Sequence, residues 1–410
     1  MLGRLTALLA LAALLAAPVV HQQQAKADDH EVVIGFAIAF SGWMSQYDGP
    51  PYQGALMAID EFNAEGGILG KQIRAVSADT KTDIVQGSKA GADVAAQGAQ
   101  FMIVSCDYDM GAPSATVANS HNMISISPCA SDAKMGVQGI GPYAFTLNTY
   151  GQGEGAGMAK YAYVDRGWRK AYMLLDASAE YTKSICHGFL EQWKTYGGEV
   201  IGVDSFMQGD ASIASQVTRY KQLAAERGEP EFLYLCSYGG GAVSAIRQFR
   251  SAGIDVPTGG GDSMDGDYWA EAVPGLSDHY ASAFGSIWGD DPRPEVNAFF
   301  DRYAAMYGAP AETSFPLNGY SVIQIIKIAA ERAGSLDSDA VLAELNKFNK
   351  EPLLWGETTY TADTHIDLGH VLTIVQIQDG KGSHAGKGGP ENPPPLRLIF
   401  EDFTEDLYGS

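Results

Sequence analysis

The chain has 410 residues, of which 46% are hydrophobic and 19% are charged. That length is sufficient for two or more globular domains, each with its own apolar core. The 27 basic residues are outnumbered by 49 acidic ones, giving a formal charge of −22. Such a surface repels phosphate backbones and anionic membranes, which argues against nucleic-acid binding.

The N-terminus has the pattern of a targeting segment. Arg4 precedes an apolar run over residues 5–20, and Ala25-Lys26-Ala27 offers a small-x-small cleavage site. The run is short for a membrane span, which needs about 20 apolar residues, and an uncleaved anchor is the alternative. We therefore predict a signal peptide over residues 1–27 and an exported chain in an oxidising compartment, without stable membrane insertion.

Strand and helix patterns alternate after this segment. Residues 32–40 (VVIGFAIAF) form a continuous apolar run, typical of a strand buried on both faces of a parallel sheet. Apolar positions at helical spacing predict an amphipathic helix over 53–65. The next predicted elements are a strand at 72–78, a helix at 85–98 and strands at 101–104 and 123–126 around a further helix. This βαβαβαβ order predicts a doubly wound parallel sheet.

The stretch 101–132 is where we expect a binding site. Its two predicted strands end in small and polar residues, SCDY and SPCAS, and Pro113 between them predicts the first turn of a helix. Small ligands bind outside the carboxyl ends of the strands in an open parallel sheet. The loops at 105–108 and 127–131 are therefore candidates for ligand contact.

Four cysteines follow the predicted signal peptide, and their spacing matches no zinc pattern. Cys106 and Cys129 come just after two consecutive strands, and neighbouring strands lie about 4.8 Å apart, within reach of a disulfide. We predict the pairs Cys106–Cys129 and Cys186–Cys236. Four buried free thiols are the alternative.

The run AIDEFNAEGGILGK at 58–71, followed by strands ending in Ser-Cys and in Ser-Pro-Cys-Ala-Ser, resembles a known family. It is similar to the type I periplasmic solute-binding proteins, and among them to the leucine/isoleucine/valine-binding proteins of ABC importers. The resemblance covers essentially the whole mature chain. It implies an α/β fold with two doubly wound parallel-sheet lobes, joined by a three-strand hinge that opens and closes on ligand.

In this arrangement lobe 1 comprises residues 30–147 and 286–355, and lobe 2 comprises residues 148–285 and 356–400. The remaining predicted elements are strands at 143–147, 170–175, 231–235, 280–288 and 370–376, and helices at 182–196 and 322–333, with a further helix ending at 248–253. Residues 380–395, which are rich in Gly and Pro, predict a loosely packed loop.

The resemblance also implies the ligand contacts. In the amino-acid-binding relatives, backbone N–H groups with Ser and Thr hydroxyls hold the ligand carboxylate, and an acidic residue of lobe 2 holds its ammonium group. Asp262 matches that acidic residue, with Asp265 as the alternative. The positions that match the carboxylate-holding loops are Ser105, Asp107, Tyr108, Cys129, Ala130 and Ser131. The aromatic residues expected at the cleft are Trp43 on lobe 1 and Tyr181 and Tyr238 on lobe 2.

Two features depart from the amino-acid binders. Asp107 and Asp109 place negative charge in the loop after Ser105, which favours a ligand more cationic or richer in hydroxyls than a branched-chain amino acid. No Arg or Lys falls in the six loops expected at the cleft, which argues against dicarboxylates. Each assignment has a structural alternative: helix or turn capping for Asp107, Asp109 and Ser131, and packing for Tyr181 and Tyr238.

The sequence lacks the catalytic, nucleotide-binding and calcium-binding motifs that parts of it resemble. There is no G-x-S-x-G, H-E-x-x-H or P-loop, residues 151–157 lack the G-x-G-x-x-G spacing, and 107–111 lack the later ligands of a calcium loop. We therefore predict a periplasmic, monomeric, non-catalytic protein with no metal or cofactor. It would capture an amino acid or amine-bearing compound and deliver it to an ABC permease. A sensor of the same fold, reporting to a receptor or regulator, is the alternative.

Overall fold

The computed structural model describes residues 30–390 and 392–398, and the predicted signal peptide lies outside them. Five parallel strands form the first sheet, in the order β2-β1-β3-β4-β5. These strands are β1 (Glu31–Ile38), β2 (Gln72–Asp79), β3 (Phe101–Val104), β4 (Ile124–Ser127) and β5 (Ala144–Thr146). The doubly wound order predicted from residues 32–126 is confirmed.

Seven strands form the second sheet, in the order β14-β13-β10-β9-β8-β6-β7. They are β6 (Lys170–Asp176), β7 (Glu199–Phe206), β8 (Phe232–Cys236), β9 (Thr258–Gly260), β10 (His279–Ala283), β13 (Leu372–Gln378) and β14 (Lys381–Gly388). All pairs are parallel except those of β13, which runs antiparallel to β10 and β14. A separate hairpin joins β11 (Glu351–Leu353) to β12 (Gly356–Thr358).

Helices cover the faces of both sheets. They are α1 (Ser45–Ala64), α2 (Ile84–Ala96), α3 (Tyr108–Ser120), α4 (Gly151–Lys160), α5 (Glu180–Thr195), α6 (Ala214–Arg227), α7 (Gly239–Ser251), α8 (Trp269–Ala272), α9 (Pro294–Tyr307), α10 (Pro316–Ala333) and α11 (Ser338–Leu345). In the described part of the chain, no helix is both long and apolar enough to cross a membrane.

The two sheets have separate apolar cores. One core combines β1, β3, β4 and β5 with α1 and with α9, α10 and α11 from much later in the chain. Two others lie on opposite faces of the second sheet. The first sheet thus falls in predicted lobe 1 and the second in predicted lobe 2, which confirms the predicted fold class. The residue boundaries proposed for the lobes stay a prediction.

Three helices begin well before their predicted starts, and one of them is α10, which begins at Pro316 and not near residue 322. Helix α1 begins at Ser45 and contains Pro50 and Pro51; proline lacks the N–H that a helix interior uses, which explains the later predicted start. Helix α3 begins at Tyr108 and not near Pro113, because the Asp107 carboxylate accepts a hydrogen bond of 3.0 Å from the Met110 N–H and caps the helix.

The loop predicted over residues 380–395 is wrong for its first half. Residues Lys381–Gly388 form β14, paired antiparallel with β13. Glycine has a packing role here, since a Cβ at Gly382 would lie 1.9 Å from the Trp288 ring and one at Gly388 would lie 3.2 Å from the Gly157 backbone. The Gly content that predicted a loop instead lets a strand approach its neighbours closely.

Glycine also sets the closest approach of α1 and α10. A Cβ at Gly319 would lie 1.7 Å from the Pro51 carbonyl oxygen, whereas a Cβ at Gly49 would meet nothing within 4 Å.

We expect Gly319→Ala to lower the free energy of unfolding by about 3 kcal/mol, because the two helices must separate. Gly49→Ala in the same helix pair should be neutral or stabilising by up to about 1 kcal/mol. Denaturant unfolding measures both, and equal losses would contradict the close approach.

Candidate functional site

A cavity lies between the two sheets, outside the carboxyl ends of their parallel strands, with about 400 Å³ of empty space that is partly open to solvent. The residues that line it from lobe 1 are Trp43, Met44, Tyr47, Cys106, Asp107, Cys129 and Phe315. Those that line it from lobe 2 are Ala179, Tyr181, Tyr238, Asp262 and Ser263. Nearly all of them follow β1, β3, β4, β6, β8 or β9, which is the position expected for a ligand site in this architecture.

The structure brings six of the predicted binding residues to this cavity: Trp43, Asp107, Cys129, Tyr181, Tyr238 and Asp262. It places five others outside the lining: Ser105, Tyr108, Ala130, Ser131 and Asp265. Six lining residues were not among the predicted binding residues: Met44, Tyr47, Cys106, Ala179, Ser263 and Phe315. Met44 and Tyr47 stand in the stretch after the first strand that was expected at the cleft, whereas Phe315 comes from the start of α10 and carries no strand-end signal.

Ser105 and Asp265 are engaged elsewhere. The Ser105 hydroxyl donates a 2.7 Å hydrogen bond to Asp48, a buried carboxylate of α1. Asp265 accepts hydrogen bonds of 2.6 Å from both the N–H and the hydroxyl of Ser314, so this carboxylate fastens the chain just before α10. Burial raises the pKa of Asp265 to about 7.

The polar groups of the loop after β4 are also directed into the protein. The Ala130 N–H donates to the Ser127 hydroxyl at 3.0 Å. The Ser131 hydroxyl is buried without a hydrogen-bond partner among the described residues and lies against Gly151 at the start of α4. The next turn is capped by Asp132, whose carboxylate accepts from the Lys134 N–H, so the alternative of Ser131 as a helix cap is wrong.

Asp262 sits at the centre of a buried polar network on lobe 2. Its carboxylate accepts from the Asn148 amide at 2.8 Å and from the Tyr181 hydroxyl at 3.0 Å, while its own N–H donates to Glu154. Burial raises the pKa of Asp262 to about 6. Burial and the neighbouring charge of Asp262 raise the pKa of Glu154 well above its usual range.

Aromatic and polar contacts join the lobes around the cavity. The rings of Trp43 and Tyr238 lie 5.1 Å apart between centroids, and Trp43 is 44% exposed. The Tyr47 hydroxyl donates to the Ser263 carbonyl at 3.1 Å. Lys134 forms ion pairs with Glu180 across the lobes and with Asp132 at 3.8 Å. The lobes are therefore in direct contact, and the cleft is closed.

Both predicted disulfides are present. Cys106 pairs with Cys129 at a Cα separation of 4.6 Å, and Cys186 pairs with Cys236 at 5.6 Å. The first joins the loops after β3 and β4, and both of its cysteines line the cavity. The second links α5 to the end of β8 within the core of lobe 2. In the described part of the chain, no cluster of His, Cys, Asp and Glu could hold a metal ion.

Residues 31–382 match the family model of the periplasmic binding proteins. The chain belongs to the periplasmic binding protein family. The family resemblance identified from residues 58–71 and the two strand ends is thus confirmed. Curated members and solved neighbours are substrate-binding proteins of transporters, and the family is one of binding proteins and not of enzymes.

Relatives of this periplasmic binding protein span most of its length. The Leu/Ile/Val-binding protein BraC3 of Rhizobium johnstonii is 25% identical over 333 residues, covering 80% of this chain and 87% of the relative. A leucine-, isoleucine-, valine-, threonine- and alanine-binding protein of Pseudomonas aeruginosa is 23% identical and covers 77% of this chain and 82% of the relative.

Solved structures share the fold. The substrate-binding protein LivJ of Streptococcus pneumoniae, in complex with isoleucine, matches with a TM-score of 0.76 at 24% identity, over 88% of this chain and all of its own. A solute-binding protein of R. palustris in complex with benzoate matches with a TM-score of 0.73 at 17% identity, over 90% of this chain and all of its own. Proteins of this fold therefore hold chemically different ligands.

The pKa of Asp107 predicts how the stability of the protein changes with pH. Burial, and next the charge of Asp109, raise this pKa from 3.8 to about 7. The native chain therefore binds a proton more tightly than the unfolded chain, and the stability that this proton contributes is present below pH 3.8 and lost as the pH rises through 7. Asp107→Asn keeps a capping oxygen but does not titrate.

Between pH 5 and pH 8 the wild type should therefore lose stability relative to Asp107→Asn, on the order of 2 kcal/mol. Thermal unfolding of ligand-free protein across this range measures the difference. The matched control is Asp83→Asn, the same change at the exposed cap of α2. A wild-type-to-variant difference that stays constant with pH would contradict the raised pKa of Asp107.

Proposed function

We propose that this periplasmic binding protein is the extracytoplasmic ligand-binding component of an ABC importer and that its cleft holds a small ligand bearing an amine. One observation carries the ligand class. The carboxylates of Asp107 and Asp262, which come from opposite lobes, line a single cavity whose other side chains are largely aromatic.

The electrostatics of the cavity favour a cation. Within the described residues, its lining includes no lysine, arginine or histidine. Five aromatic rings surround the two carboxylates: those of Trp43, Tyr47, Tyr181, Tyr238 and Phe315. A cation over an aromatic face gains about 0.5–2 kcal/mol, more as water is excluded, and a buried carboxylate is stabilised by an opposite charge beside it.

The transport role is supported by family membership and by relatives: two are named as amino-acid-binding proteins, and a solved neighbour is named as the substrate-binding protein of an amino-acid transporter. In this role the exported chain, freed of residues 1–27, binds its ligand as a periplasmic monomer. The lobes close over the ligand and present it to the membrane permease. Affinity comes from hydrogen bonds and ring contacts made in a cleft that excludes water.

Asp262→Asn tests the role of the lobe 2 carboxylate. An amide keeps acceptor and donor groups for Asn148 and Tyr181 but removes the charge, so affinity for an amine should fall by at least about tenfold. Isothermal titration calorimetry at pH 7.5 measures the loss. The matched control is Asp267→Asn, which alters an exposed carboxylate five residues further along the chain.

A ligand panel tests the proposed class itself. A ligand bearing an amine should raise the unfolding midpoint of the wild type by mass action, and its affinity should decline as the pH falls through 6, where Asp262 takes up a proton. A midpoint raised by benzoate or a sugar but by no amine or amino acid would overturn the proposed ligand class. Unchanged affinity in Asp262→Asn would reject the role given to that carboxylate.

A further inference from the structure

Resting on the proposed function, we infer that the ligand is an amine without a free carboxylate, and that amino acids are rejected because the protein's own carboxylates already occupy the anion-binding groups of the cleft. The observation behind this inference concerns the hydrogen-bond donors of the cleft. After β1 and β3 and at the start of α5, the N–H groups and the hydroxyl that could hold an anion already have an internal acceptor, whereas the Ser131 hydroxyl after β4 has none among the described residues.

The first such acceptor is Asp48. Its carboxylate is 1% exposed and receives hydrogen bonds from the Ala39 N–H at 2.7 Å, the Ser105 hydroxyl at 2.7 Å and the Cys106 N–H at 2.8 Å. These three donors are the ones that the ends of β1 and β3 would offer to a ligand. A carboxylate that already accepts three hydrogen bonds is not displaced by another without leaving a buried charge unpaired.

The second acceptor is Asp107, and it acts on α3. Its carboxylate takes the Met110 N–H at the first turn of that helix and at the same time lines the cavity. The start of a helix attracts anions through its free N–H groups and its dipole. Here that attraction is satisfied by a residue of the chain, and a ligand approaching α3 meets a carboxylate.

The third acceptor is Asp109, which reaches from lobe 1 to lobe 2. One of its oxygens accepts a hydrogen bond of 3.2 Å from the Glu180 N–H, the first of α5. Helix α5 has no side-chain cap of its own, and Ala179, the residue before its first turn, lines the cavity. In the closed cleft Asp109 thus takes the place at α5 that an anionic group of a ligand would need.

The consequence is a cleft that repels a carboxylate. A ligand carboxylate would face Asp107 and Asp262 with these donors already used, and like charges brought together in an excluded-water site cost several kcal/mol. Lys134, the buried cation near the lobe contact, is paired with Glu180 and Asp132. An ammonium group with an apolar or neutral polar remainder fits the same surface, because carboxylates and rings both attract it.

Matched probe pairs test this inference. Leucine, leucinamide and isoamylamine share a side chain and an amine but differ in the carboxylate, and phenylalanine, phenylalaninamide and phenethylamine form a second set. Calorimetry on the wild-type protein at pH 7.5 should show the amide and the amine binding at least about tenfold more tightly than the amino acid in each set.

The variant Asp109→Asn tests whether the charge of Asp109 contributes to the rejection of amino acids. Removing this charge should improve binding of the amino acid relative to its amide by about fivefold or more, since one charge that repels the ligand carboxylate is lost while an acceptor for the Glu180 N–H remains. Asp93→Asn, an exposed acidic residue of α2 paired with Lys89, is the matched control and should leave the ratio unchanged. A ratio that does not move in Asp109→Asn would overturn the role of Asp109.

The outcomes separate the two proposals. If amino acids bind as tightly as their amides and amines in the wild type, the inference fails while the proposed amine-binding function stands. If neither amino acids, amides nor amines bind, the proposed ligand class fails and the inference with it. Because the probe comparison uses the wild type alone, it decides the question even where a variant folds poorly.

Discussion

The buried carboxylate of Asp48 is the interaction on which the geometry of the cleft depends. It stands in the first turn of α1, and its three hydrogen bonds reach the backbone after β1 and the loop after β3. Burial raises the pKa of Asp48 to about 6, and the hydrogen bonds oppose that rise. Its ionised form therefore persists at neutral pH because the chain supplies donors to it, and the side chains that follow β1 and β3 take their positions from it.

The same principle recurs across the cleft, where acidic side chains are buried against backbone N–H groups. Each burial costs free energy, because a carboxylate loses its hydration, and each hydrogen bond recovers part of that cost. The negative charge of Asp107 and Asp262 is thus compensated only in part by the hydrogen bonds that these carboxylates accept. A cationic ligand lowers that cost as it binds, which links affinity to the electrostatics of the protein as much as to the shape of the cavity.

Much of this arrangement was predictable from sequence because it follows from strand ends. The rule that ligands bind beyond the carboxyl ends of parallel strands led to Asp107 and Cys129, and the family resemblance led to Trp43, Tyr181 and Asp262; all five line one cavity. The direction of a hydroxyl was not predictable, since Ser105 turns to a carboxylate 57 residues away. Phe315 was missed for the same reason, as it enters the cleft from α10 by tertiary packing alone.

Another prediction was wrong because glycine-rich stretches occur both in loops and in closely packed strands and helices. The glycines at 382, 386 and 388 indicated a loop, yet they belong to a strand in close contact with its neighbours. The glycines around Glu154 drew attention as a failed nucleotide motif, although Gly155 and Gly157 permit close packing of α4 against α5 and β14. The informative residue in that run is Glu154, whose buried carboxyl supports Asp262.

The disulfide between Cys106 and Cys129 has a consequence for when the cavity wall is completed. Its cysteines are part of the cavity wall and join the loops that follow β3 and β4. In a reducing compartment these sulfurs are separate thiols, and the two loops are held together without a covalent link, by the pairing of β3 with β4 and by the 2.8 Å hydrogen bond from the Ser127 hydroxyl to the Ser105 carbonyl. The covalent link that completes this part of the wall therefore forms only under oxidising conditions.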